Sequence, residues 1–353
     1  MSNRLLVTGG AGYVGSHCAR RLIQAGFEVI TIDDLSQGHR QAVEGPLLVA
    51  DVRDRAALRA ALGGVDAVLH FAARTSVGES QIDPVGYWEV NVGGSAALLG
   101  AMIEAGVRRL VFSSTCAVHG IVATPITEDI PFAPESPYGG TKAATERMIV
   151  AAEAAGQLEA VRLRYFNAAG AASDAWLGEA HAPETHLIPL ALAAASGGPA
   201  LSLFGDAHPT ADGTCIRDYV HVEDLAEAHL TAVLRLFAGG GRTVFNLGTG
   251  RGASVREVFT AVERVVGPVQ YTVAPPRLGD PPALVADPRA SLSGLNWRAT
   301  RDLDTIVSDA WRWRQNPRFG PDFHAPGQLA TEGAEKCGHH LAENAALPSS
   351  GES

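Results

Sequence analysis

Cysteine is scarce and unpaired in this chain of 353 residues: Cys18, Cys116, Cys215 and Cys337 stand far apart, with no Cys-x-x-Cys spacing among them. That scatter excludes a thiolate zinc site and a disulfide framework, and it leads to the expectation of a reducing, cytoplasmic setting with no metal. Long apolar runs are missing too. The run from Arg4 to Thr8 ends in glycine turns and is too short for a secretory leader, and nothing approaches the roughly 20 residues of a membrane span, so no membrane contact is expected. Positive charge is in deficit, 28 Lys and Arg against 38 Asp and Glu, for a formal net charge of -10. A surface of that sign repels a nucleic-acid backbone, which removes nucleic acid as an expected partner and leaves any anionic ligand to a few local arginines or helix N-termini. What the chain has is apolar content, 46%, enough for a large core divided between two lobes.

The first half alternates short aliphatic runs with longer helical patterns. Residues 5–8, 28–33, 47–50, 67–71, 109–113 and 160–165 read as six successive strands, nearly all apolar as in a parallel sheet covered on both faces. Helices fit between them, for instance over 16–25, stopped by Gly26, and over 138–155, stopped by Gly156. The expected fold is α/β, resembling a Rossmann-type doubly wound parallel sheet with a smaller α/β substrate lobe. Beyond Asn167 the alternation lapses into loops rich in Gly, Pro and Asp, while a strand at 217–222, a helix at 224–237 and a strand at 243–247 read as a return to the first lobe. The expected division is therefore 1–168 with 217–250 for cofactor, 169–216 with 251–320 for substrate, and 321–353 as a mobile tail.

Thr8-Gly9-Gly10-Ala11-Gly12-Tyr13-Val14-Gly15 follows the first strand and opens the first helix. A glycine-rich turn by itself marks only a tight bend. At a strand-to-helix junction, glycines also let backbone N–H groups and the positive end of a helix approach a pyrophosphate. Asp33 closes the second strand 18 residues after Gly15, where an acid accepts hydrogen bonds from adenosine ribose hydroxyls. A carboxylate there repels a 2′-phosphate and favours NAD over NADP, with Arg40 the one neighbour that argues the other way. Asp51, after the third strand, is placed to reach the adenine edge.

Ser136-Pro137-Tyr138-Gly139-Gly140-Thr141-Lys142 sets a phenol and an ammonium four residues apart, on one face of a helix. An ordinary phenol, with a pKa near 10, is ionised in about one molecule in a thousand at pH 7, a deficit of roughly 4 kcal/mol for a group that acts as a base. A neighbouring ammonium and a positive nicotinamide ring both favour the phenolate, so Lys142 is expected to tune Tyr138 toward neutral pH while holding the nicotinamide ribose. Thr115, in Phe112-Ser113-Ser114-Thr115 after the fifth strand, puts a hydroxyl at the carboxyl edge of the sheet, where open α/β folds bind ligands. Alone, a Tyr and Lys at this spacing are ordinary helix-surface residues. Phosphate loop, acid, hydroxyl cluster and Tyr-Lys pair in this order point to a nicotinamide redox enzyme.

In these segments, and in Phe71-Ala72-Ala73-Arg74, Val77-Gly78-Glu79-Ser80, Asn91-Val92-Gly93-Gly94, Leu163 to Asn167, Pro209 to Asp218 and Trp297-Arg298, the chain resembles the extended short-chain dehydrogenases/reductases. Within them it most resembles the UDP-glucose 4-epimerases (UDP-galactose 4-epimerases), from Arg4 to Pro321. The resemblance implies an isomerase that interconverts UDP-glucose and UDP-galactose: NAD takes a hydride from C4 and returns it to the other face of the 4-ketose, with no net redox change. It makes Tyr138 the base, Lys142 its tuner and Thr115 the hydroxyl partner. It implies a cofactor shell of Gly9, Gly12, Tyr13, Val14, Gly15, Asp33, Asp51, Val52, Phe71, Ala72, Ala73, Arg74, Asn91, Ser113 and Tyr165 around Tyr138 and Lys142. The implied UDP-sugar pocket comprises Asn167, His186, Leu187, Phe204, Arg217, Arg277, Asp280 and Leu284, with both arginines on the pyrophosphate and Phe204 stacked on uracil. A homodimer built on first-lobe helices and a place in galactose metabolism come with the same family.

Three positions depart from the family pattern: His119 replaces a tyrosine, His186 replaces an asparagine, and Leu284 occupies the position whose size decides whether an N-acetylated hexose fits. Leucine is intermediate there, which keeps UDP-GlcNAc/UDP-GalNAc or a UDP-pentose open as substrate. Related 4,6-dehydratases carry an Asp-Glu pair after the threonine, whereas Cys116-Ala117 follows here and argues against dehydration. A non-catalytic NAD(H)-binding regulator would have no use for Tyr138, Lys142 and Thr115 together.

Overall fold

Leu5, Leu6 and Val7 leave Arg4–Thr8 (β1) without a polar face, and such a strand is stable only between two layers of helices. The computed structural model describes residues 3–122, 125–241, 243–277 and 280–321, so the expected tail beyond Pro321 lies outside the described residues. β1, Glu28–Asp33 (β2), Leu47–Val49 (β3), Ala67–His70 (β4), Arg109–Thr115 (β5) and Glu159–Tyr165 (β6) join one parallel sheet in the order β3, β2, β1, β4, β5, β6, and Thr243–Leu247 closes its far edge.

Side chains alternate between the two faces of that sheet. Leu5 and Val7 pack with Cys18 and Leu22 of the helix Tyr13–Gln24 (α1) and with Leu225 and Leu236 of Val222–Phe237. Leu6 faces the opposite core, with Leu98 and Met102 of Gly94–Ala105. Each such leucine contributes about 1.5–3 kcal/mol by leaving water, which is why the six strands are the most insistent signal in the sequence. A third core, including Ile188, Leu192, Phe259, Val262 and Ile306, ties Leu187–Ala195, Val255–Val265 and Leu303–Gln315 together outside the sheet.

The expected single strand at 217–222 is in fact two. Ile216–Arg217 pairs with Ala253–Ser254 and Ala283–Leu284, whereas Tyr219–His221 pairs with Asn167–Ala169. Asp218 between them is fully buried, and its carboxylate accepts hydrogen bonds from the backbone N–H groups of Thr249, Gly250 and Ala286. Those bonds turn the chain from one strand pairing to the other. Cys18, Cys116 and Cys215 are free thiols. Among the described residues no helix is long and apolar enough to cross a membrane.

Strand order reverses between β1 and β4. The connections on either side then leave in opposite directions and open a crevice at the carboxyl ends of these strands.

Candidate active site

A cleft of about 440 Å³ lies at that crevice. Its floor begins where α1 starts. Gly12 is the helix N-cap, no side chain caps it, and no acid occupies the first turn, so the N–H groups and positive end of α1 are kept for an anion. Gly15 is required by packing, because a Cβ there would sit inside the van der Waals radius of the Gly9 carbonyl oxygen. Gly12, by contrast, would bring a Cβ no closer than 3.4 Å to any atom, the Gly9 carbonyl oxygen, so the turn leaves a cradle that fits a pyrophosphate. Asp33 lines the wall beyond; its carboxylate accepts from the N–H groups of Ala11 (2.9 Å) and Leu35 (2.8 Å), and burial raises its pKa against those two bonds. Asp51 also lines the cleft, bonded to Arg53, which holds it below the usual carboxylate range. Arg40 is exposed and is not among the lining residues. This set fits a dinucleotide without a 2′-phosphate.

Thr115, Tyr138 and Lys142 meet at the other end. The helix Pro137–Ala154 starts with proline in its first turn and Ser136 as N-cap, accepting from the Gly139 N–H at 3.1 Å. Gly139 lets that start press against the Ala117 backbone just after β5, where a Cβ would collide with the Ala117 carbonyl. The Tyr138 phenol is thereby brought to the same end of the cleft as the Thr115 hydroxyl, which favours its ionised form. Lys142 is buried; its Nζ donates to the Ser113 carbonyl at 2.9 Å and lies 5.0 Å from the centre of the Phe112 ring.

The electrostatics of the protein without a cofactor are set by depth. Burial pushes the Tyr138 phenol well above 10, the Thr115 hydroxyl pulls the other way, and the Cys116 thiol adds to the rise. Lys142, expected to lower the phenol, is itself lowered by burial to about 8, with Glu146 opposing. In the protein itself burial dominates both groups.

Around this pair runs a buried polar frame that sequence reasoning missed. Ser113 also bonds the Tyr165 hydroxyl through its own side chain. Glu146 accepts from Ser114 Oγ at 2.6 Å and from two nitrogens of Arg164 at 2.8 and 2.7 Å, and Arg164 in turn contacts His119 at 3.1 Å. Thr8, His70 and Ser95 form a second chain, His70 sitting 2.7 Å from Thr8 Oγ1 and 2.9 Å from Ser95 Oγ, with burial lowering its pKa to about 3 so that it stays neutral. These partners are neighbours only across strands and helices, so no local spacing reveals them.

Of the expected cofactor shell, all but Asn91 line the cleft. Asn91 sits in the π-helical turn Trp88–Gly93 and clamps the Arg74 backbone from behind, accepting from its N–H at 2.8 Å and donating to its carbonyl at 3.0 Å. Arg74 pairs with Asp83 and Glu79 and covers the Tyr87 ring. Of the expected substrate residues, Asn167, His186, Arg217 and Leu284 line the cleft, whereas Leu187, Phe204, Arg277 and Asp280 are not among its lining residues. Arg277 instead lies 4.0 Å above the Phe204 ring, and Asp280 holds Arg217 by an ion pair. Glu179 and His181 line the cleft unforeseen. Against the opposing effect of burial, Glu179 and Glu184 raise His186 to about 10, and the imidazoles of His186 and His181 hold Glu179 down to about 2.

Comparison with known proteins agrees with this geometry. Residues 5–248 match the model of the NAD dependent epimerase/dehydratase family. A UDP-glucose 4-epimerase of Streptomyces lividans is 48% identical over 330 residues, covering 91% of this chain and 99% of that one. The crystal structure of the UDP-glucose 4-epimerase from Brucella ovis in complex with NAD superposes with a TM-score of 0.86 at 45% identity, over 88% of this chain and 98% of the other. That of the Bifidobacterium longum enzyme in complex with NAD+ and UDP gives 0.84 at 33% identity, over 89% and 98%.

Proposed function

The chain belongs to the NAD dependent epimerase/dehydratase family, and from that premise we propose that it interconverts UDP-glucose and UDP-galactose by inverting C4 of the hexose. The observation that carries the reading is the convergence of Thr115, Tyr138 and Lys142 at one end of a cleft whose other end is the glycine cradle. Bound NAD supplies the reversible hydrogen acceptor for C4. Gly9, Gly12 and the start of α1 hold its pyrophosphate, Asp33 the adenosine ribose, and Lys142 the ribose nearer the phenol.

Tyr138 takes the proton of the sugar 4-hydroxyl on its phenolic oxygen and gives it back after the ring has turned. Thr115, beside Tyr138 in the cleft, orients and relays the substrate proton. At pH 7 Lys142, with a pKa near 8, is mostly ammonium, and its charge favours the phenolate against the burial that raises it. Arg217, aligned by Asp280 on the cleft wall, meets the diphosphate; His186, Asn167 and Leu284 border the sugar nucleotide. Phe204, Arg277 and Leu187 enter the pocket on the family pattern alone. Residues 1–168 with 217–250 serve the cofactor and 169–216 with 251–320 the UDP-sugar. A homodimer is supported by Ile82, Val85, Trp88, Ile103 and Val150, large apolar side chains exposed on first-lobe helices. Free thiols and the absence of a spanning helix among the described residues support the cytoplasm, and the reaction a role in galactose metabolism.

The test is conversion of UDP-galactose to UDP-glucose by purified protein without added cofactor, since NAD is expected to co-purify. Tyr138→Phe should keep the NAD and lose turnover by about 10²- to 10⁴-fold. Silence of the wild type with both sugars, or near-normal turnover of the variant, would overturn the reading.

A further inference from the structure

Between Gly178 and the helix Leu187–Ala195 the chain reads Glu179-Ala180-His181-Ala182-Pro183-Glu184-Thr185-His186. Its four polar, non-hydroxyl side chains turn toward one point. Glu179 Oε1 lies 3.1 Å from His181 Nδ1 and 2.7 Å from His186 Nδ1, while the Glu184 oxygens lie 2.9 Å from His186 Nδ1 and 3.9 Å from His181 Nδ1. One ligand atom from each residue falls within 4.8 Å of all the others. A tetrahedral cation with bonds of about 2.0–2.1 Å has ligand-to-ligand edges of about 3.3 Å, and with Glu184 acting through Oε2 the distances of 2.7, 3.1 and 3.9 Å bracket that length.

We propose that Glu179, His181, Glu184 and His186 bind one divalent cation of the zinc class, which fixes this segment as a wall of the cleft. Two imidazole nitrogens with two carboxylate oxygens are a donor set suited to such ions, and imidazoles coordinate through Nδ1 as readily as through Nε2 once the cation displaces their protons. Charge supports it. The Glu179 side chain is 6% exposed, and among the described residues both carboxylates are paired with imidazoles and with no lysine or arginine. His186 is also the N-cap of its helix, whose start brings about half a positive charge; two carboxylates outweigh it. Backbone N–H groups of Thr185 and His186 fix Glu184 at 2.7 and 2.8 Å, so its second oxygen is oriented without help from a ligand.

The placement gives the cation a task. His186 lines the cleft, Glu184 lines a second cavity of about 340 Å³ behind the segment, walled by Ile188, Leu192 and Trp313, and Glu179 and His181 line both. The start of the loop is tied down by Trp313 Nε1 at the Glu179 carbonyl and by His39 at the Ala180 carbonyl, whereas Ala182, Pro183, Thr185 and His186 are exposed between the two spaces. His181 meets the edge of Tyr13, at the start of α1, with ring centres 6.3 Å apart, and a cation would fasten the segment against the phosphate loop. The expectation of no metal rested on cysteine spacing, which is silent about this pattern.

The experiment uses untagged full-length protein treated with a chelator and titrated with zinc alone against a chromophoric competitor, and in parallel with cobalt(II). One equivalent of zinc and a strong visible band of tetrahedral cobalt are expected. His181→Ala and, separately, Glu184→Gln should each weaken zinc by about 10-fold or more, in protein whose retained NAD reports that it is folded. A weak octahedral cobalt spectrum in the wild type, or unchanged zinc affinity in both variants, would overturn the proposal. Neither result touches the turnover assay, so the metal and the epimerase readings fail independently.

Discussion

Replacing Lys142 by methionine should make the ligand-free protein more stable while removing its activity. The ammonium is buried and its pKa falls from 10.5 to about 8, a change that corresponds to about 3 kcal/mol of unfavourable burial at roughly 1.4 kcal/mol per pH unit. Methionine has a similar length and no charge. It leaves the Ser113 carbonyl without its 2.9 Å donor, which returns about 1 kcal/mol. The expected net gain at pH 7 is therefore about 2 kcal/mol. Its pH dependence is diagnostic. Between pH 8 and pH 10.5 the unfolded lysine holds a proton that the folded one has released, so wild-type stability rises with pH across that window. The advantage of the variant is thus full below pH 8 and fades by pH 10.5, while other groups that titrate there cancel in the difference. Urea unfolding of NAD-stripped protein at both ends of the window measures it, stripping being necessary because a ligand of the folded state adds its own stability. A variant less stable than wild type at pH 7, or a gain that persists unchanged at high pH, would refute the account of Lys142 as a cation held against its solvation.

Two further substitutions probe the supports of the site. Gly15→Ala places a methyl against the Gly9 carbonyl; purified protein should lose its NAD, seen as a fall in the 260 nm to 280 nm absorbance ratio, and about 1–3 kcal/mol of stability from overpacking. Glu146→Gln leaves the buried Arg164 guanidinium without its carboxylate and should lower stability by about 3–5 kcal/mol, most of it recovered by pairing the change with Arg164→Met.

The central sheet was legible because burial on both faces forces consecutive apolar residues, and the phosphate loop because its glycines act within eight positions of one another. The outer strands were not. Leu201–Phe204, Ile216–Arg217, Ala253–Ser254 and Ala283–Leu284 run for two to four residues, too short for a period, and partners distant in the chain define them. The same distance hid the Glu146, Arg164 and Ser114 frame. His186 was singled out by comparison with a family pattern, but Glu179 and His181 were not, because alternate polar positions in a loop look like solvated surface until the chain folds them inward.

The direction of the Tyr138 and Lys142 shifts was beyond the sequence for a different reason. Four-residue spacing on a helix fixes that two groups share a face, yet a pKa is the difference between opposing effects, desolvation against neighbouring charge, and only depth decides the winner. Here depth wins for both: the phenol rises and the amine falls. That outcome suits a catalyst that must idle without damage. A phenol above 10 and an amine near 8 leave Tyr138 protonated and Lys142 mostly charged at pH 7, so the base is latent, and in a dry cleft one more positive charge beside the phenol acts far more strongly than it would in water. The burial that makes the pair unfavourable in the protein alone is what gives such a charge its leverage. A more exposed pair, cheaper to fold, would respond less to it.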